Sequence, residues 1–456
     1  MHISFHGAAH EVTGSCHLLV TKDDLGVEHK LLVDCGMFQG EQLCGSKNLQ
    51  PFGFDPKEIE AVFVTHPHAD HTGRLPRLVK EGFSGKIYMV EPCVGLSKLV
   101  LEDAFHIMLE DADKCGSSIL YDELDLNHAF TFVESVRYHE SVTIAPGIVV
   151  KFHDAGHVLG SSYISFDTEN KRVVFSGDIG NQNVPILPKT EPLSHADIVV
   201  CESTYGSRIH EAIEERSIKL KAAIERTIKN KSVLMIPAFS IERTQELLYE
   251  FDRILAHNQD LQIPIFLDSP MAIKATHLYR SFESYLKFDS PVMSEPDGDF
   301  FSFNGLKETL SKDESKKIND TPAPKIIIAG SGMMSGGRIM HHLIRYLPDE
   351  RNTLLIIGYQ AEGTIGGKIF RGDKSVRIFG SRVDVKAEVQ AIGAFSAHAD
   401  KQMLTDWLRP EDGHMPKQIY LVHGDPEVKE EFANHLRTEL KTEVLIPKLH
   451  EQYQID

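Results

Sequence analysis

The chain has 456 residues, 41% of them apolar, and a formal net charge of −18. That length exceeds one ordinary core, so two or three domains are expected. No apolar run reaches the length of a membrane span, and the acidity excludes a protein that coats nucleic acid nonspecifically, though not a nuclease with a local basic track and metal ions. Six cysteines, at 16, 35, 44, 93, 115 and 201, form no CxxC pair, which points to reduced thiols and away from a cysteine zinc finger. The start, Met1-His2-Ile3-Ser4-Phe5-His6, has no basic stretch followed by an apolar core, so no secretory signal and a cytoplasmic location are expected.

Residues 2–5 and 16–20 alternate as strands, with Gly7 and Gly14-Ser15 bracketing the turn between them. Residues 30–33 form a buried strand that ends in Asp34-Cys35-Gly36. Ala61-Val62-Phe63-Val64-Thr65 is another, and it runs straight into His66-Pro67-His68-Ala69-Asp70-His71. Pro67 cannot continue a central strand, so these ligand-type residues are expected in the loop beyond the strand end. His66 and His68 can converge on one point while Asp70 and His71 turn toward a second, so one loop can serve two metals. A helix is expected over 73–80, a strand over 86–90 and a long helix over 92–115. Short strands at 141–144, 148–153, 162–166 and 172–176 read as a largely antiparallel sheet. One more strand, 198–201, ends in Glu202-Ser203-Thr204.

The rhythm changes near residue 207. Helix, strand, helix, strand at 217–230, 232–237, 241–257 and 263–267 is the spacing of a parallel α/β unit. Residues 312–324 are charged, then Pro-containing, and read as a solvated connection. A strand at 325–329 leads into Gly330-Ser331-Gly332-Met333-Met334-Ser335-Gly336-Gly337-Arg338, followed by a helix to 347 and a strand at 353–357. Strand, glycine-rich loop, helix is a layout that cradles phosphate on backbone N–H groups. Ser331, Gly332 and Arg338 are therefore candidates for a substrate phosphate, with Arg243 a further one. No Lys follows the glycines, which disfavours a P-loop NTPase. Short strands resume near 375, residues 394–408 give a loop and a helix, and the strand 418–422 ends in His423-Gly424-Asp425. A helix over 427–440 and a strand at 444–446 close the chain.

Two more strand ends repeat this grammar: His157 in Asp154-Ala155-Gly156-His157 and Asp178 in Ser176-Gly177-Asp178. Glycine lets the backbone turn tightly and approach a neighbour closely. With His423, these residues supply what a dinuclear site built on the 66–71 loop still lacks. His153, His195, His210, His341 and His342 carry no assignment.

Asp34, the run His66 to His71, His157 and Asp178, in that order, resemble the motifs of the metallo-β-lactamase superfamily. The interruption by an α/β unit resembles its β-CASP branch, whose acidic residue after a strand is matched by Glu202 and whose two late histidines are matched by His398 and His423. The resemblance covers essentially the whole chain. It implies an αββα metallo-β-lactamase sandwich from 1–206 and 386–456, an inserted α/β β-CASP domain over 207–385, and an active site in the cleft between them. It also implies roles. His66, His68 and His157 would hold one metal; Asp70, His71 and His423 the second; Asp178 would bridge both; Asp34 would orient a ligand histidine from behind. Glu202 would hydrogen-bond His398 and hold it near the scissile phosphate. Nitrogen and oxygen ligation suits two Zn²⁺, and Mn²⁺ or Fe fit the same set.

The function so implied is metal-dependent hydrolysis of RNA phosphodiesters, in RNA processing or decay. A hydroxide held between two metals is a nucleophile at neutral pH. His398 would serve as general acid to the leaving ribose 3′ oxygen. The implied partner is single-stranded RNA, with no membrane and with room for a homodimer. The alternatives are a metallohydrolase of another ester class, against which the inserted domain and the Glu202/His398 pair speak, and a DNA-directed nuclease of the same branch, which typically lacks the late histidine matched by His423. No further domain is expected after residue 456, a departure from RNase J that bears on oligomerisation and 5′-end processivity.

Overall fold

In the structure, a computed structural model, residues 1–39, 47–116, 118–212, 214–287, 299, 301–358, 360 and 363–455 are described. The chain divides into two units, one of Met1–Gln182, Pro188–Ile209 and His398–Asp456, the other of Asn183–Leu187 and His210–Ala397.

The first unit opens with strands β1 (His2–Phe5), β2 (His17–Lys22), β3 (Glu28–Val33), β4 (Ala61–Phe63), β5 (Lys86–Val90) and β6 (Val133–Val136). It continues with β7 (Ser141–Ala145), β8 (Ile148–Asp154), β9 (Ser162–Thr168), β10 (Lys171–Phe175) and β11 (Ile198–Glu202). The second unit contributes β12 (Val233–Pro237), β13 (Ile265–Asp268), β14 (Leu306–Glu308), β15 (Lys325–Ala329), β16 (Thr353–Ile356), β17 (Ser375–Ile378), β18 (Ser381–Asp384) and β19 (Glu388–Ala391). The chain then returns to the first unit with β20 (Gln418–Val422), β21 (Glu443–Leu445) and β22 (Gln452–Gln454).

The first unit carries two seven-stranded sheets, ordered β22-β1-β2-β3-β4-β5-β6 and β21-β20-β11-β10-β9-β8-β7. Their inner faces meet through aromatic rings: Phe63 of β4 lies 5.1 Å from Phe166 of β9, and Phe5 of β1 lies 5.5 Å from Tyr420 of β20. The outer faces are apolar too. Leu18, Leu32 and Val62 pack on Leu75, Leu78 and Val79 of the helix Leu75–Lys80, while Val199, Ile419 and Leu421 pack on Leu404, Phe432 and Leu436 of the helices Lys401–Trp407 and Pro426–Leu440. Strands buried on both sides read as continuous apolar runs, as 61–64 and 419–422 do. The result is the αββα sandwich.

The second unit is an all-parallel sheet, β14-β13-β15-β12-β16-β19, with a β17–β18 hairpin beside it. Two expectations need correction. Residues 386–397 stay with this unit, because β19 pairs in parallel with β16 instead of joining the sandwich. The stretch 312–324 is not a bare connection: Ser311 and Glu314 form a capping box that starts a helix over Lys312–Lys317. The strands β7 to β10 pair antiparallel in succession, and the sheet becomes mixed where β10–β11, β11–β20 and β20–β21 pair in parallel. A helix, Pro270–Ser281, follows β13, started by Ser269 as cap and Pro270 in the first turn. Cys16, Cys35, Cys93 and Cys201 are buried free thiols, and Cys44 lies outside the described residues. Among the described residues no helix is long and apolar enough to cross a membrane.

Candidate metal centre

Several strand ends of the sandwich deliver side chains to one place. His66 and His68 follow β4 in a loop, as expected, but Asp70 and His71 lie on a single helical turn, Ala69–Thr72. That turn is clamped by backbone hydrogen bonds from Ser15 N–H to the Asp70 carbonyl (2.8 Å) and from Cys35 N–H to the His71 carbonyl (2.8 Å). Gly36 passes so close that a Cβ there would overlap the Asp70 carbonyl, so only glycine fits. His157 follows β8, Asp178 follows β10 and His423 follows β20. Asp34 (φ 60°) and His423 (φ 50°) both adopt the left-handed backbone that non-glycine residues rarely use. Such conformations persist where the surroundings over-determine them, commonly at functional sites.

The ligand atoms form two groups. In one, His66 Nε2 lies 3.1 Å from His68 Nδ1, His157 Nε2 lies 3.4 Å from His68 Nδ1, and Asp178 Oδ2 lies 3.3 Å from His66 Nε2 and 3.6 Å from His157 Nε2. In the other, His423 Nε2 lies 3.4 Å from Asp70 Oδ2, and Asp178 Oδ1 lies 3.4 Å from His71 Nε2 and 3.6 Å from His423 Nε2. Tetrahedral ligands at metal–ligand distances of about 2.1 Å sit about 3.4 Å apart. Each oxygen of Asp178 thus faces its own cluster. His71 Nε2, Asp178 Oδ1 and His423 Nε2 are buried and make no hydrogen bond. Leaving such atoms unpaired is costly unless they share a cation, so the residues present fit a pair of metal ions.

The electrostatics agree. Burial, then the neighbouring His71, pushes His66 well below the ordinary imidazole range, and burial takes His68 down to about 4, so both rings keep lone pairs for a metal. Burial opposes ionisation of Asp178, but His423, His71 and His66 outweigh it and hold the carboxyl well below its usual range. For His71 burial is likewise overcome, by Asp178 and Asp34, and the ring is held well above its usual value. Asp34 Oδ2 lies 2.7 Å from His71 Nδ1, which directs the Nδ1 proton to Asp34 and Nε2 to the site.

Beside these clusters sits His398. Its Nδ1 lies 3.2 Å from Glu202 Oε1 and 3.9 Å from Asp178 Oδ2. Glu202 is fully buried and also accepts the Ile179 N–H at 2.6 Å, while Ala399 N–H donates to the Ile179 carbonyl at 2.8 Å. Burial pushes the His398 ring down, but Glu202, Asp178 and Asp70 more than offset it and raise it.

The expected phosphate residues belong to the second unit. Arg338 is engaged inside the protein: its guanidinium donates to Asp268 Oδ1 (2.7 Å) and to the carbonyls of Thr309 (2.8 Å) and Leu310 (2.7 Å). A buried aspartate needs a cation, which is why the arginine is drawn inward. Ser331 N–H donates to the Gly336 carbonyl (3.2 Å), its hydroxyl accepts from Ser335 N–H (3.1 Å), and Gly332 faces the Phe239 ring. The Ser331 N–H and hydroxyl thus serve contacts within the loop. Arg243 is likewise buried, held by Glu246 and the Phe395 carbonyl.

Sequence reasoning missed two hydroxyls. Thr65 Oγ1 donates to Asp34 Oδ2 (2.8 Å) and lies 3.1 Å from His66 Nδ1, and Thr204 Oγ1 lies 3.0 Å from His423 Nδ1. The available signal was a threonine next to, or two residues after, a strand-end ligand or acid.

Family models match the chain in the order of this architecture: the metallo-beta-lactamase superfamily over residues 11–202, the Beta-Casp domain over 244–369 and the Zn-dependent metallo-hydrolase RNA specificity domain over 382–447. A ribonuclease of Thermus thermophilus is 38% identical over 94% of this chain and 94% of its own length. The chain belongs to the β-CASP branch of the metallo-β-lactamase superfamily. A transcription termination factor of Methanosarcina mazei is 30% identical over 96% of this chain and 69% of its own. A solved structure of a protein of unknown function from Enterococcus faecalis V583, 12% identical, shares the fold with a TM-score of 0.56 over 99% of both chains. This β-CASP protein is therefore a metal-dependent hydrolase, and its two histidine–carboxylate clusters are candidate sites for divalent ions.

Proposed function

We propose that this β-CASP protein, an RNA-processing metallohydrolase, cuts single-stranded RNA at the two clusters that share Asp178. The observation that carries the reading is the pair of Asp178 oxygens, each within 3.6 Å of two imidazoles of its own cluster, with His398 only 3.9 Å away. His66, His68 and His157 would hold one ion, Asp70, His71 and His423 the other, and Asp178 both. Divalent ions there lower the pKa of water towards ~7 and offset charge on the phosphate. We read them as zinc from the nitrogen-rich ligand set.

The chain's own groups do the rest. Asp34 and Thr65 hold His71 and His66 in the tautomer that leaves Nε2 free to bind. Thr204 orients His423 in the same way. Glu202 accepts from His398 Nδ1–H, so His398 Nε2–H can protonate the ribose 3′ oxygen as the P–O bond breaks. Against the cost of burial, the Glu202 carboxylate beside it raises the affinity of His398 for its proton. The enzyme would act in the cytoplasm, as a monomer or homodimer, which suits four buried free thiols.

Digestion of end-labelled single-stranded RNA and of matched DNA by metal-loaded protein tests this reading. RNA should be cut and DNA spared. Hydrolysis of DNA alone, or of neither, would overturn it.

A further inference from the structure

Away from the residues of the metal centre, the first unit gathers two imidazoles and a carboxylate. His139 sits in the turn before β7, His153 lies near the end of β8, and Glu191 lies in the segment that follows residue 187. Glu191 Oε1 is 3.2 Å from His139 Nε2, and Oε2 is 3.7 Å from His153 Nδ1. These separations bracket the roughly 3.4 Å expected between ligands of one tetrahedral ion.

Each member is held in place from behind. His153 stacks on Tyr163 at 4.6 Å and 7°, and its Nε2 lies 3.1 Å from Ser165 Oγ, which leaves Nδ1 to face Glu191. That is the support a ligand histidine needs on its far nitrogen. Glu191 is anchored through its backbone, by its N–H to the Asp154 carbonyl (2.9 Å) and by the Trp407 indole N–H to its own carbonyl (3.1 Å). Burial works against its ionisation, but His153, the Asp154 N–H and His139 outweigh it and keep the carboxylate charged. His139 adopts a left-handed backbone (φ 65°), fixed by its N–H on the Phe152 carbonyl at 2.9 Å. A turn, a strand end and the 188–193 segment thus bring their ligand atoms within 4.8 Å of one another.

We propose that His139, His153 and Glu191 form a third metal site, for a borderline divalent ion of the zinc class. Two imidazoles and one carboxylate select such an ion over magnesium or calcium. The His139 side chain is 63% exposed, so the remaining coordination positions open to water. The ion ties the turn before β7 and the 188–193 segment to β8, four residues before the ligand His157. Its role is to stiffen the loop that presents His157, since Thr190 Oγ1 already donates to the Ala155 carbonyl at 2.8 Å.

Equilibrium dialysis of the full chain against buffered Zn²⁺, with metal counted per chain, tests the site. The wild type should bind three ions. His139→Asn keeps a residue that tolerates the left-handed backbone, and Glu191→Gln keeps the shape of the side chain; each should bind two. Hydrogen exchange is the second readout. With the third ion bound, the amides of Asp154 and Glu191 should exchange several-fold more slowly in the wild type and not in either variant. A wild type that saturates at two ions, as a metal-free His–Glu ion pair would require, overturns the proposal. So does a folded variant that keeps the third ion.

Discussion

Asp178 and Asp268 stand at the ends of buried strands in different units, and their surroundings are opposite in kind. Asp268, the last residue of β13, accepts from Thr309 Oγ1, Ser315 Oγ and Arg338, and meets His342 Nε2, all at 2.7 Å. Burial opposes its ionisation, but these four partners hold its carboxyl down at about 2. Asp178 is equally buried, yet its Oδ1 accepts no hydrogen bond and instead faces His71 and His423 at 3.4 and 3.6 Å. An acid after an apolar strand is therefore not a functional signal by itself. What separates a site from a structural clamp is whether the protein satisfies the carboxylate with its own donors. Asp268 is saturated; Asp178 is left open, as the proposed metal site requires.

The comparison can be broken first at the metal centre. Asp178→Ala and His68→Ala should each abolish cleavage and lower the metal content, while circular dichroism and melting stay close to wild type. Cleavage comparable to wild type in either variant would show that the clusters are not the reactive centre. Next in size is His398→Ala, which should keep both catalytic ions and lose roughly 10²–10⁴-fold in rate. A substrate with sulfur at the scissile 3′ position needs little protonation and should be cut at close to the wild-type rate. An equal defect on both substrates would mean that His398 binds phosphate, and loss of an ion would mean that it is a ligand. Glu202→Gln should lose less than His398→Ala, because the imidazole remains.

Smaller again is Thr204→Val, which removes the hydroxyl behind His423. Such supporting contacts are worth roughly 10–100-fold in metal affinity or activity. A competitive chelator titration reads it, and an unchanged titration would remove Thr204 from the machinery. The mildest change is Asp268→Asn. It should leave metal content and rate alone and cost roughly 1–3 kcal/mol of stability at neutral pH. The sign with pH follows from the depressed carboxyl. Its contribution is present above the ordinary value of 3.8 and is lost as pH falls toward about 2, so melts of the variant should be flatter across that window. A variant as stable as wild type at neutral pH would mean that the four contacts of Asp268 add nothing.

Much of this architecture is local in origin and so was legible in the chain. Apolar runs of strand length, proline and glycine at their ends, and ligand-type residues directly after them give the places of His66 to His71, Asp178 and His423. The change of rhythm near residue 207 likewise announces a second unit, since helix–strand spacing is a property of the segment itself. What depended on tertiary structure is everything carried by partners far apart. Thr204 and His423 are separated by 219 residues, so nothing local marks that hydroxyl as the support of a ligand. Arg338 looks like a phosphate ligand in its glycine-rich loop until Asp268, 70 residues earlier, is seen to claim it. Residues 388–391 could have served either unit by propensity, and pairing with β16 decides it. Strand register, the tautomers of the ligand rings and the division of the two Asp178 oxygens between two clusters are set only when distant strand ends meet in one buried place, because hydrogen bonding and desolvation act on what is near in space.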